Sequence, residues 1–253
     1  MFNLVSLLVT AALVSLQCSR QANALLERPK IIQHNNLESN EIPAPRRREL
    51  HKYVKIEQGL PESITNPESP LVLQCVIWGK PAPVVTWLKN GLAIADFEED
   101  SNEIFSSHPS SVAGLMSKLV VPAPANGDVY TCVGTAGSKQ KTNSTTIYTD
   151  EDSEELELPT APLITAYYNS ILQVTGTSVT LPCRHYSPTK AQVFWLDRDE
   201  ELIFDHSRMR VLPSGDLLIK NLSFETDMGQ YTCTVKNSFG TDTASTFLYV
   251  LRG

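Results

Sequence analysis

Asp227-Met228-Gly229-Gln230-Tyr231-Thr232-Cys233 is the stretch that decides the fold. Side chains alternate across a β-strand, so Tyr231 and Cys233, two apart, share one face. Asp227 and Gly229 just before them have the composition of a tight corner leading into that strand. Upstream stands a second cysteine, Cys183, and twelve residues after it comes Trp195. Asp216 to Lys220 reads as a strand before the corner. Val235-Lys236-Asn237-Ser238-Phe239-Gly240 reads as a turn after it, and Thr241 to Val250 as the strand that follows.

The same constellation occurs earlier in the chain. Trp87 follows Cys75 by twelve residues, and Tyr130 precedes Cys132 by two. A cysteine, a tryptophan twelve on and a Tyr-x-Cys is the pattern of an immunoglobulin sandwich. There the cysteines bridge two sheets, the indole fills the space beside the sulfurs and the tyrosine closes a corner. The spacing therefore predicts an all-β protein of two tandem immunoglobulin-like β-sandwich domains of the I-set type. The expected disulfides are Cys75–Cys132 and Cys183–Cys233, with Trp87, Tyr130, Trp195 and Tyr231 in the cores. Their partners lie 57 and 50 residues apart, and closing such a loop is worth about 4 kcal/mol in the chain-entropy account. That staple matters in domains whose cores are small. The first copy is less regular, with Asn126 and Asp128 where Asp and Gly are expected. Gly79-Lys80-Pro81-Ala82-Pro83 reads as the turn before the strand that carries Trp87.

The 253 residues suit about two domains. A chain that is 42% apolar and 19% charged is globular in composition. Its net charge of −7 argues against nucleic acid, because binding phosphates needs a cationic footprint. Leu4 to Leu16 is an apolar run shorter than the roughly 20 residues that span a bilayer. Ala22-Asn23-Ala24 after it has the small-x-small form of a signal-peptidase site, although no Lys or Arg precedes the run. Residues 1–24 are read as a signal peptide and the protein as secreted. Removing that segment removes Cys18 and leaves four cysteines, an even set suited to an oxidising compartment. No second long apolar stretch follows, so no membrane span is expected. Residues 25–49 read as a polar arm, in which Arg46-Arg47-Arg48 is a solvated charge run. Residues 50–148 are the first domain, 149–160 an acidic linker and 161–253 the second domain. The linker carries six carboxylates between Asp150 and Glu157, whose repulsion extends it.

No enzyme pattern appears: no G-x-S-x-G, no H-E-x-x-H, no phosphate-cradling glycine loop, no C-x-x-C. The five histidines are scattered, and the carboxylates cluster only in the linker, without the glycine turn of a calcium loop. No catalytic residue, metal or cofactor is expected. Asn143-Ser144-Thr145 and Asn221-Leu222-Ser223 are glycosylation sequons, with Asn143 read as the start of the last strand of its domain. Function must then lie in surfaces. With Trp87 and Cys132 facing inward, parity turns Val84, Leu88, Val129 and Val133 outward on adjacent strands, an apolar face suited to a partner. Leu88→Arg is expected to abolish partner binding there and leave secretion intact. Trp78 and Tyr186, three residues after their cysteines, also have outward parity and are secondary binding candidates, with packing by the following turn the favoured alternative.

Further strings make the likeness more specific. They are Tyr130-Thr131-Cys132-Val133-Gly134 with Gly137-Ser138-Lys139, Arg210-Val211-Leu212-Pro213-Ser214-Gly215-Asp216-Leu217-Leu218-Ile219, Asp227-Met228-Gly229, and Asp242-Thr243-Ala244-Ser245-Thr246-Phe247. With them the chain resembles the nematode zwei-Ig domain family of exported two-immunoglobulin proteins. It is also similar to insect secreted two-immunoglobulin proteins that bind insulin-like peptides. The first likeness implies a neuronal protein that maintains axon and nerve-cord position through an extracellular or cell-surface partner. The second implies sequestration of an insulin-like peptide. Self-association as a homophilic adhesion module is a further alternative, and glycosaminoglycan tethering through Arg46 to Lys52 another.

Overall fold

The computed structural model describes residues 51–94, 108–150 and 160–252. The segments read from the sequence as a signal peptide and an arm, and most of the one read as an acidic linker, lie outside the described residues.

The first domain runs β1 (Tyr53–Gln58), β2 (Ser63–Thr65), β3 (Leu71–Lys80), β4 (Val84–Lys89), β5 (Leu92–Ala93), β6 (Val112–Val121), β7 (Val129–Ala136) and β8 (Lys139–Tyr148). The second runs β9 (Leu163–Val174), β10 (Val179–Leu181), β11 (Arg184–Tyr186), β12 (Gln192–Leu196), β13 (Met209–Val211), β14 (Leu217–Ile219), the helical turn α1 (Phe224–Asp227), β15 (Gly229–Lys236) and β16 (Thr241–Leu251). Cys75 is bonded to Cys132 and Cys183 to Cys233, with Cα–Cα distances of 6.5 and 6.4 Å. All four cysteines are fully buried, as is Trp195. The Trp87 indole N–H donates to Ser117 Oγ at 3.0 Å, and that of Trp195 to the Gly215 carbonyl at 2.9 Å. Each buried ring thus keeps its one polar group satisfied.

The two domains are joined by backbone hydrogen bonds. β6, the edge of one sheet of the first domain, pairs antiparallel with β9, the first strand of the second. The order β1-β3-β6-β9-β16-β15-β12 makes one continuous sheet, with β11 added at β9. Separate three-stranded (β10-β14-β13) and five-stranded (β2-β8-β7-β4-β5) sheets cover its two halves. The described residues of both domains form one compact unit. The reason is legible in β6, Val-Ala-Gly-Leu-Met-Ser-Lys-Leu-Val-Val, which is apolar on both faces as a central strand is. Ala82, Ala113 and Leu115 of the first domain belong to the same buried cluster as Ile164, Tyr168 and Ile171 of the second. Tyr168 donates its hydroxyl to the Pro83 carbonyl at 3.4 Å across this junction, and burial pushes that phenol well above its usual pKa.

The two corners before the Tyr-x-Cys strands differ as their sequences do. In the second domain Asp227, 1% exposed, pairs with Arg208 and accepts the Ser223 N–H at 2.7 Å, while Tyr231 donates to the Asp227 carbonyl at 3.1 Å. In the first domain Asp128 takes over. It meets Lys89 Nζ at 2.9 Å, accepts from Asn90 Nδ2 at 2.9 Å and receives the Tyr130 hydroxyl at 3.3 Å. Burial pushes the Asp128 carboxyl up, but the hydrogen bonds from Lys89 and Asn90 outweigh it and hold it below its usual 3.8. The hydrogen bond to Asp128 raises Lys89 above 10.5.

A depressed carboxyl stabilises the fold above its unfolded pKa and stops doing so as pH falls through the folded value. A raised ammonium stabilises below its unfolded pKa and stops doing so as pH rises through the folded one. Asp128→Asn should therefore lower stability by about 1 kcal/mol at pH 7, a small figure because Lys89 is 44% exposed and screened. The gap from wild type should begin to narrow as pH falls below about 4 and close only below the depressed folded value, where Asp128 carries its proton in both states. Urea midpoints at pH 7 and pH 3 measure this, and an equal gap at both would remove the charge from the corner's stability.

Candidate functional site

The outer face of the shared sheet gathers apolar side chains from both domains. Reading across the ladders, Lys55 stands opposite Trp78, Trp78 opposite Gly114, Gly114 opposite Ser170, Ser170 opposite Phe247 and Phe247 opposite Gln230. Residues opposed in a ladder share a face. A neighbouring row sets Val112, Leu172 and Tyr249 opposite one another, and another sets Val76, Met116 and Tyr167. Tyr249 is 46% exposed; Trp78, Met116, Tyr167, Leu172 and Phe247 are half-buried. The Phe247 and Tyr249 rings touch at 4.4 Å between centroids.

Trp78 is fixed on this face from two sides. Its indole lies over Gly114, where an added Cβ would stand 2.6 Å from Cζ2. Its N–H donates to Glu57 Oε2 at 2.6 Å. Outward parity is as read, and the missing side chain at 114 gives the ring a floor on the sheet itself. A rigid aromatic platform of this kind is the surface that protein partners bury most profitably.

Val84, Leu88, Val129 and Val133 share the outer face of β4 and β7 in the first domain. Val84 is 58% exposed, Leu88 and Val129 are half-buried, and Val133 is only 6% exposed. Hydroxyl residues interleave them: Leu88 stands opposite Thr131, and Val133 between Thr86 and Thr142. Thr131 and Ser144 hydroxyls bond at 2.8 Å on the same face. Ala93 on β5, opposite Leu88 and exposed, extends the face at its edge.

Asn221 is exposed in the turn after β14, with a left-handed φ of 51° that asparagine accepts readily. Asn143 does not begin its strand. β8 starts at Lys139, because Gly137 at φ 58° makes the turn two residues before it, and Asn143 is half-buried in mid-strand. Among the described residues no group of three or more His, Cys, Asp or Glu is placed to hold a metal ion. No helix among them is long and apolar enough to cross a membrane.

Comparison with known proteins agrees with this architecture. The immunoglobulin domain family matches residues 55–149, and the immunoglobulin I-set domain family matches residues 162–250. The Drosophila melanogaster neural/ectodermal development factor IMP-L2 is 30% identical over 224 residues, covering 85% of this chain and 83% of the relative. The Caenorhabditis elegans Zwei Ig domain protein zig-2 is 30% identical over 188 residues, covering 70% and 77%. The crystal structure of IMP-L2 superposes with a TM-score of 0.68 at 27% identity, covering 80% of this chain and 97% of that one. Two domain matches, a shared length and a shared arrangement together place the chain: it belongs to the family of two-immunoglobulin-domain proteins that includes IMP-L2 and the Zwei Ig domain proteins.

Proposed function

We propose that this protein acts outside the cell as a non-enzymatic recognition protein and holds its partner against the outer face of the shared sheet. The observation that carries this is the aromatic and aliphatic surface, centred on Trp78, that runs across the domain junction. Contiguous apolar surface left partly open to water marks an interface. Family membership extends the proposal to the nervous system, where the protein would keep axons and nerve cords in position through an extracellular or cell-surface partner.

A second reading, sequestration of an insulin-like peptide, is favoured by the shape of the same face. A broad sheet surface with a fixed indole and a neighbouring Phe247–Tyr249 pair accepts the apolar side of a hormone helix. Calorimetry of the secreted protein against insulin-like peptides tests it. Saturable binding tighter than about 1 µM, or about −8 kcal/mol, is the expected result for a hormone binder. Absence of heat with every peptide rejects that reading and directs the search to cell-surface proteins. The protein itself comes first among them, through the dependence of its mass on concentration.

The Val84–Leu88–Val129–Val133 face remains a separate proposal, supported by the exposure of Val84. Leu88→Arg separates it from the shared sheet.

A further inference from the structure

The sandwich of the first domain is open along one side. β2 pairs with β8 only from Thr146 to Tyr148, so among the described residues Lys139 to Thr145 has no strand beyond it. Between this stretch and β1 lies a cavity of about 550 Å³, lined by Val54, Ile56, Gly59, Leu60, Lys141 and Asn143. An unpaired strand edge beside an apolar slot is a template for unwanted pairing. Two facts single out Asn143 within it. Its Oδ1 accepts the Leu60 N–H, and the absence of a side chain at Gly59 leaves room for this, since an added Cβ would stand 2.6 Å from that oxygen. The carbonyl is therefore held by backbone and the amide nitrogen is the group left for chemistry.

The second fact is Thr145. It is 1% exposed, stands opposite Tyr130, and its hydroxyl has no hydrogen-bond partner among the described residues. Burying an unsatisfied hydroxyl destabilises a fold, and valine has the same shape. The hydroxyl is also the third-residue group of the Asn143-Ser144-Thr145 acceptor.

We infer that Asn143 carries an N-glycan whose innermost sugars occupy the slot between β1 and β8 and close the open side of the first domain. In the coupling, the Nδ2–C1 bond forms to N-acetylglucosamine of a lipid-pyrophosphate oligosaccharide. The lipid pyrophosphate leaves and Nδ2 loses one proton. Oδ1 is untouched, so the bond to Leu60 survives the modification. The slot is of a size that holds a small-molecule ligand, with aliphatic walls for the sugar faces and Lys141 and Thr142 at its mouth. This inference rests on passage through the secretory pathway, and Asn221, exposed in its turn, serves as the internal control.

The experiment is glycopeptide mass spectrometry on protein secreted from animal cells, followed by timed release with a glycosidase that cuts the inner chitobiose. Occupancy at both sites is expected, with the Asn143 glycan released at least 10-fold more slowly than that of Asn221 in native protein and equally fast after denaturation. An empty Asn143 beside an occupied Asn221 overturns this inference alone. Retention of the chain in the cell with both sites empty overturns the extracellular reading with it. Equal native release rates overturn the seating in the slot. Thr145→Val removes the acceptor without removing Asn143. Its melting temperature should equal that of enzymatically deglycosylated wild type or exceed it by about 2–4 °C, and a lower one would show that the hydroxyl serves the fold.

Discussion

Tyr168→Ala should uncouple the two domains. The side chain is 8% exposed, lies in the cluster that joins Ala113 and Leu115 to Ile164 and Ile171, and reaches the Pro83 carbonyl. Truncating a buried aromatic costs about 3–5 kcal/mol, which for a unit of this size lowers the melting temperature by about 6–20 °C. The form of the transition is the more telling readout. Wild type should melt in one step, because β6–β9 pairing makes each domain part of the other's core. The variant should melt in two, and the acidic segment between the domains should become a site of rapid proteolysis. Tyr168→Phe is the control, since it loses only the 3.4 Å hydrogen bond and about 1 kcal/mol. A single unshifted transition in Tyr168→Ala would mean that the junction is an incidental contact.

That experiment bears on what was and was not legible in the residues. Cys75, Trp87, Tyr130 and Cys132, and their counterparts in the second domain, declare themselves because a disulfide beside an indole admits few other residue types at those places. The less regular corner at Asn126 and Asp128 was also visible, although not that Asp128 would gather Lys89, Asn90 and Tyr130 around one carboxylate. The union of the domains was not read, because pairing at an edge is made by backbone groups that every residue carries. Its one written trace is that Met116, Val112, Leu172 and Tyr167 are apolar on faces that a free edge strand would give to polar residues. The same limit applies to surfaces. Parity correctly turns Trp78 and Val133 outward, but parity is blind to neighbours. Gly114 leaves Trp78 a platform, while the neighbours of Val133 leave it 6% exposed.

Trp78→Ala should then lower partner affinity by about 30- to 1,000-fold, the loss of about 2–4 kcal/mol that a central tryptophan hot spot carries. The ring is half-buried on the outside of the sheet and contributes to neither core cluster, so the variant should fold and keep its melting temperature within a few degrees. Truncation alone leaves open whether the ring contributes by contact or by holding Glu57. Gly114→Ala separates these. The new Cβ would come within 2.6 Å of the indole and lift it from the sheet while every atom of Trp78 and Glu57 remains. If the flat pose is what the partner reads, Gly114→Ala and Trp78→Ala should weaken binding alike. If Glu57 is the contact, Glu57→Gln should do the damage and Gly114→Ala little. Leu88→Arg completes the set by placing a charge on the other candidate face, one domain edge away from the shared sheet. Binding lost in Leu88→Arg and kept in Trp78→Ala would move the site to β4 and β7. The opposite pattern ties recognition to the shared sheet, to which, among the described residues, both domains contribute strands.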